Sequence, residues 1–128
     1  MKRMAIVSAA ILGIAVLFLL FMNLKTNSDL KSLVFSEIDM DTVTDGIYRG
    51  KAETTFIKAE VEAEAADHRI IRISILQHDS GLGKKAEQIT SDMVRMNTFD
   101  VDVISGATAS SKVIKSAVSD ALAKGQPE

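Results

Sequence analysis

From Met4 to Leu24 the chain runs for 21 residues without a charged side chain, in the stretch MAIVSAAILGIAVLFLLFMNL. At the rise of an α-helix this covers roughly 30 Å, the thickness of a bilayer's hydrocarbon core. Lys2 and Arg3 precede the run and favour a cytoplasmic amino terminus, while Lys25 and Lys31 on the far flank weaken that bias without reversing it. A cleaved signal peptide has a shorter apolar region ending in a small-x-small site, whereas this run ends in Phe21, Met22, Asn23 and Leu24. Residues 1–25 are therefore expected to remain as a single-pass anchor in the cytoplasmic membrane. Residues 26–44 are expected to form a polar tether and domain entry, and residues 45–124 a small extracytoplasmic domain.

Beyond the anchor the chain is acidic. Without the first 25 residues it keeps 12 basic against 17 acidic side chains, a net charge of −5. That sign offers no electrostatic footprint for nucleic acid, which is excluded as a partner. There are no cysteines, so disulfides, thiolate metal sites and cysteine nucleophiles are excluded too. With only His68 and His78 available, no metal centre is expected.

Periodicity in the domain points to an α+β fold: a small antiparallel sheet with two packed helices, preceded by the transmembrane helix. In DGIYRGKAE the Asp45-Gly46 pair reads as a turn before a short strand through Tyr48. In TFIKAEVEAEA, charged Lys58, Glu60, Glu62 and Glu64 alternate with apolar Ala59, Val61, Ala63 and Ala65, the period of a half-buried strand. The weak strand propensity of Glu and Ala counts against it. Isoleucine-rich RIIRISILQ comes next, with a hairpin turn expected near Asp67-His68 and His68 exposed there. After the glycines the period shifts. Ala86, Ile89, Met93 and Met96 fall on one helical face, the methionines reading as core, and Val113, Ile114, Ala117, Val118, Ala121 and Leu122 define a last helix closed by Gly125 and Pro127.

The stretch DVDVISGATASSK, residues 100–112, lies where that last helix begins. Amide groups in the first turn of a helix lack internal partners and carry the positive end of its dipole, so they suit a phosphate. Gly106 and Ala107 keep the approach open, and Thr108, Ser110 and Ser111 add hydroxyls. The same residues also suit a helix cap and nothing more. Spacing alone leaves both readings standing.

The run Asp102-Val103-Ile104-Ser105-Gly106-Ala107-Thr108 resembles the D-x-x-S-G-A-T flavinylation motif of the FMN-binding domain family. That family includes small membrane-anchored electron carriers and the flavin subunits of sodium-pumping NADH–quinone reductases and Rnf-type complexes. The resemblance extends over about 80 residues, Asp45 to Leu122. It implies covalent FMN, esterified through its phosphate to Thr108 by a separate FMN transferase that uses FAD and Mg2+. It also implies that Ser105, Gly106 and Ala107 admit the phosphate, that Asp102 is the acidic position the transferase recognises, and that Ser110 and Ser111 contact the phosphate.

HDSGLGKKAE, residues 78–87, resembles the family's histidine followed by Gly-x-Gly, though it lacks the longer, proline-containing version of some members. The resemblance makes His78, Gly81 and Leu82 flavin-side contacts; the plain alternative for His78 is a surface histidine in a loop. Tyr48 and Phe99 are the aromatic residues expected nearest a flavin. The stripe Glu60, Glu62, Glu64 reads as a solvated face or as a docking surface for a basic redox partner. Asp100 and Asp102 have no second group of a suitable type beside them, so acid–base catalysis is not expected. The expectation is thus an electron carrier that passes electrons to a redox partner protein or a quinone-linked complex. The alternatives are a subunit or donor domain of a flavin-dependent reductase or quinone-linked complex, and a non-redox anchored binding protein.

Overall fold

The computed structural model describes residues 1–79 and 83–128. Helix α1 (Lys2–Lys31) opens the chain, buries none of its residues and is long and apolar enough to cross a membrane. It runs seven residues past Leu24, so the first part of the expected tether is helical. The overhang is held by the domain. Leu30 and Leu33 pack against the core, and Asp29 Oδ2 accepts a hydrogen bond from the Thr55 N–H at 3.0 Å while Oδ1 pairs with Lys25 at 3.0 Å. The rest of the segment is docked too: Ser116 Oγ donates to the Val34 carbonyl at 2.6 Å, Val43 is fully buried, and the Thr44 N–H donates to the Gly125 carbonyl at 2.9 Å.

Three antiparallel strands come after it in the order β1 (Gly46–Glu53), β2 (Lys58–Ala66), β3 (Arg69–Asp79). The first is longer than the turn-bounded strand expected through Tyr48. On β2 the period-two reading holds: Ala59, Val61, Ala63 and Ala65 are buried and the glutamates between them half-exposed. The β2–β3 turn is Asp67-His68, with φ of 52° and 62°. Two consecutive positive φ values define the tight hairpin turn whose twist matches that of the strands. Non-glycine residues hold that conformation at some cost, and neighbours fix it here. The Asp67 N–H donates to Asp45 Oδ1 at 2.8 Å, and Asn97 Nδ2 donates to the His68 carbonyl at 3.0 Å.

Strand β3 departs from simple alternation. Its register against β2 slips twice, between Glu64 and Ala65 and between Glu60 and Val61, leaving Ile71 and Leu76 as unpaired extra residues. Each bulge reverses which face the subsequent residues point to. Consequently Ile70, Ile73 and Ile75 all turn toward the core while Ile71 and Leu76 stay exposed, and His78 comes to sit opposite Ala59 on the buried face.

Helices α2 (Ile89–Met96) and α3 (Thr108–Ala123) complete the domain, α2 being preceded by a 3-10 turn over Lys84–Gln88. Ala86, Ile89 and Met93 are buried as their spacing implies, but Met96 is exposed because the helix ends there in a left-handed Asn97. All six apolar positions expected on α3 are fully buried. This helix lies on β1 and β2, and the approach is close. A Cβ at Gly50 would collide with the Ala117 carbonyl oxygen and the Ala121 backbone nitrogen, and would lie 2.9 Å from Ala121 Cα. Alanines at 59, 63, 117 and 121 extend this small-residue contact.

Gly50→Ala should therefore destabilise the domain by about 2–3 kcal/mol, read as a lowered urea midpoint at unchanged slope, because the methyl group meets backbone that cannot step aside. A second expectation concerns Asp29, which lies beyond the apolar run. Hydrogen bonds from the Thr55 hydroxyl and N–H, then the nearby Lys25, hold its carboxyl down at about 2. A depressed folded-state value contributes stability that is complete above the ordinary 3.8 and is lost as pH falls toward about 2. In a pH titration by NMR the Thr55 amide proton should report a midpoint near 2; a midpoint near 3.8 would mean the contact is not maintained.

Candidate functional site

Helix α3 begins at Thr108 with Ala107 as its N-cap residue, and no side chain among the described residues caps it. The cap reading of the threonine–serine cluster therefore does not describe this helix. Thr108 is its first residue and is exposed, as are Asp102, Ser105 and Gly106. The turn before it requires glycine. Gly106 has φ +78°, a conformation side chains rarely adopt, and a Cβ there would also lie 2.6 Å from Lys85 Nζ. Ala107 is buried, so the turn presses inward at that residue and outward at its neighbours.

The two serines expected on the phosphate are both buried, at 2% exposure for Ser110 and 0% for Ser111. The Ser111 hydroxyl is spent on the fold. It donates to the Ala107 carbonyl at 2.7 Å and accepts from the Ile104 N–H at 3.0 Å, pinning the 104–107 turn onto the helix. Within the first turn of α3, Thr108 is thus the hydroxyl presented to solvent. Unsatisfied amides, the positive end of a 16-residue helix dipole and a free hydroxyl meet at one point.

His78 is not in a loop. It belongs to β3, and its side chain is 1% exposed because the bulge at Leu76 turns it inward. Its Nδ1 is 3.1 Å from Glu87 Oε1, while Nε2 is buried without a hydrogen-bond partner among the described residues. Such an orphaned group in a folded core is costly and calls for a partner. Gly81 and Leu82, the other expected flavin contacts on this segment, lie outside the described residues.

The 3-10 turn Lys84–Gln88 links the two segments. Glu87 reaches His78, and Lys85 places its ammonium against the Gly106 turn, two residues from Thr108. Neither residue stood out by motif. A signal was present in Lys84-Lys85, since cations at a helix start oppose the dipole and are placed there for some other gain. Lys112, one turn after Thr108 on α3, adds a second cation on that side. Of the two aromatic residues expected near a flavin, Tyr48 lies elsewhere. It packs on Gly125 and donates to the Thr44 carbonyl at 2.8 Å, about 24 Å along α3 from Thr108. Phe99 stacks on Phe35, ring centroids 6.4 Å apart.

Residues 50–123, more than half of the chain, match the sequence pattern described as the FMN-binding domain. The chain belongs to the FMN-binding domain family. Among curated proteins, none matches it closely enough to count as a relative. The matched region begins at the glycine that lets α3 approach the sheet and ends with the last residue of α3. FMN is accordingly the cofactor, and the residues present fit it. The uncapped helix start, the Gly106 turn and Lys85 suit a phosphate, and the orphaned Nε2 of His78 leaves a polar atom in want of a partner.

Proposed function

We propose that this protein is a membrane-anchored, extracytoplasmic electron carrier whose FMN is joined through its phosphate to Oγ1 of Thr108. The observation that carries this reading is the state of the hydroxyls at the start of α3. Thr108 is exposed at an uncapped helix terminus inside the D-x-x-S-G-A-T run, while Ser110 and Ser111 are buried.

Attachment balances as a phosphoryl transfer from FAD, performed by an FMN transferase with Mg2+. A bond forms between Thr108 Oγ1 and the phosphorus on the flavin side of the pyrophosphate, the bond to AMP breaks, and the hydroxyl proton passes to a base of the transferase. The product is a phosphodiester with one negative charge. Lys85 and the helix start then offset that charge, and Gly106 leaves room for the transferase to reach the hydroxyl. Asp102, exposed six residues before Thr108, is available to the transferase and not committed to the fold.

When bound, the isoalloxazine ring supplies the redox chemistry. The chain's own contribution is to hold it. A covalent link keeps the cofactor from being lost by dilution outside the cell, and His78, held through Nδ1 by Glu87, presents Nε2 to a hydrogen-bonding group. Lys2 and Arg3 before the membrane run support a cytoplasmic amino terminus and an extracytoplasmic domain. A redox partner protein or a quinone-linked complex would take the electrons.

Co-expression with an FMN transferase should raise the intact mass of the protein by FMN minus one water, and Thr108→Val should abolish the gain while leaving the thermal unfolding midpoint unchanged. An equal gain in both would move the attachment to another residue, and no gain in either would remove the covalent link.

A further inference from the structure

The domain has a definite end that faces the bilayer, and two independent tracks of contacts locate it. Just past the end of α3 Gly125 meets Thr44, and along the helix Ser119 meets Ser36, Ser116 meets Val34, and Lys112 shares a cavity with Asn27, Leu30 and Lys31. Moving toward the start of α3 therefore means moving back along the chain toward the membrane span. Strand β1 does the same. It starts beside Thr44 and Gly125, passes Ser32–Val34 at Lys51–Glu53, and ends in the turn Thr54–Ile57, where Thr55 bonds to Asp29.

Asp29 is five residues beyond Leu24 on the same unbroken helix, about 8 Å along its axis. The headgroup layer on each side of the hydrocarbon is roughly 5–8 Å deep. The Thr54–Ile57 turn thus sits at the outer edge of that layer, with the ring of Phe56 exposed at its tip. Charge is distributed along the same axis. Lys25, Lys31, Lys58 and Lys112 lie toward the membrane end, together with Asp29, which Lys25 already pairs, Glu53, Asp79 opposite Lys58, and Asp102 before Thr108. Glu37, Asp39, Asp41, Asp45 and Asp67 gather toward the opposite end. Basic residues also occur at that far end, Lys124 beside Gly125 and Arg69 at the hairpin turn, so what the membrane end offers is four lysines near the headgroups and not a one-sided charge.

We propose that this end rests on the lipid headgroups of the bilayer that α1 crosses, with Phe56 sunk among them and Lys31, Lys58 and Lys112 on their phosphates. Aromatic rings and snorkelling lysines are the residue types that settle at this depth. The contact stands whether or not Thr108 carries a flavin. Because Thr108 opens at the same end, it also holds whatever Thr108 carries beside the bilayer, with the Asp29–Thr55 and Ser116–Val34 bonds fixing the tilt.

The chain contains no tryptophan, which makes the test clean. Full-length protein carrying Phe56→Trp, and separately Ile47→Trp at the exposed far end of β1, is placed in vesicles of phosphatidylcholine with and without phosphatidylglycerol. Brominated acyl chains serve as quenchers. The expected result is blue-shifted, quenched emission from F56W, stronger with phosphatidylglycerol, and red, unquenched emission from I47W. Lys31→Glu, Lys58→Glu and Lys112→Glu together should reduce the F56W quenching. F56W emission as red and unquenched as that of I47W would overturn the contact. Quenching indifferent to phosphatidylglycerol and to the three lysines would overturn their role in it.

Discussion

Helix α3 comes close enough to the sheet that only glycine fits at position 50, and the rest of the domain is arranged around that approach. Alanines on both partners let the helix lie almost on the backbone of β1 and β2, which sets its axis and its height. With the axis fixed, its first residue has one place to be. Thr108 emerges beside the Gly106 turn, and Ser111 ties that turn down from within the helix. The weak strand propensity of Ala and Glu in β2 is resolved by the same contact: the alanines are there for their size, since a larger residue would lift the helix off the sheet.

Bulges in β3 do for the second half of the site what Gly50 does for the first. By strict alternation His78 would point to the face opposite Ile73 and Ile75; the extra residue at Leu76 sends it inward. Glu87 then holds Nδ1, which leaves Nε2 buried without a hydrogen-bond partner among the described residues. The turn that carries Glu87 also carries Lys85, so one five-residue 3-10 segment touches both the buried histidine and the exposed Gly106 turn.

Much of this was legible in the sequence, for identifiable reasons. The membrane run, the alternation along β2, the six apolar positions of α3 and the Asp67-His68 turn each come from a period or a composition with one physical solution. The family was legible in seven residues at a helix start. The β3 bulges were not legible, because a run of isoleucines presents apolar residues to either face and hides the two slips. Nor was the docking of residues 29–44, since the Asp29 side chain and the backbone of Val34 and Asp39 bond to the β1–β2 turn, to α3 and to Gln126 beyond it, across more than 25 positions of sequence. Ser110 and Ser111 look like phosphate ligands by type and lie underneath the helix by rotation, each successive residue turning about 100° around the axis.

A long apolar helix that continues into its domain, and an exposed threonine toward the end where the two join, would under the proposed function hold a cofactor at a set distance from a bilayer. Under the proposed function, the cofactor on Thr108 takes up and gives back electrons while the protein stays in place. The most direct measurement is an anaerobic redox titration of the full-length, flavinylated protein in lipid vesicles, monitored by visible absorption. The proposed function requires that the flavin band bleaches on reduction and returns fully on reoxidation, with all the colour remaining on the protein after denaturation. A flavin that is released on denaturation, or that cannot be cycled while attached, would contradict it.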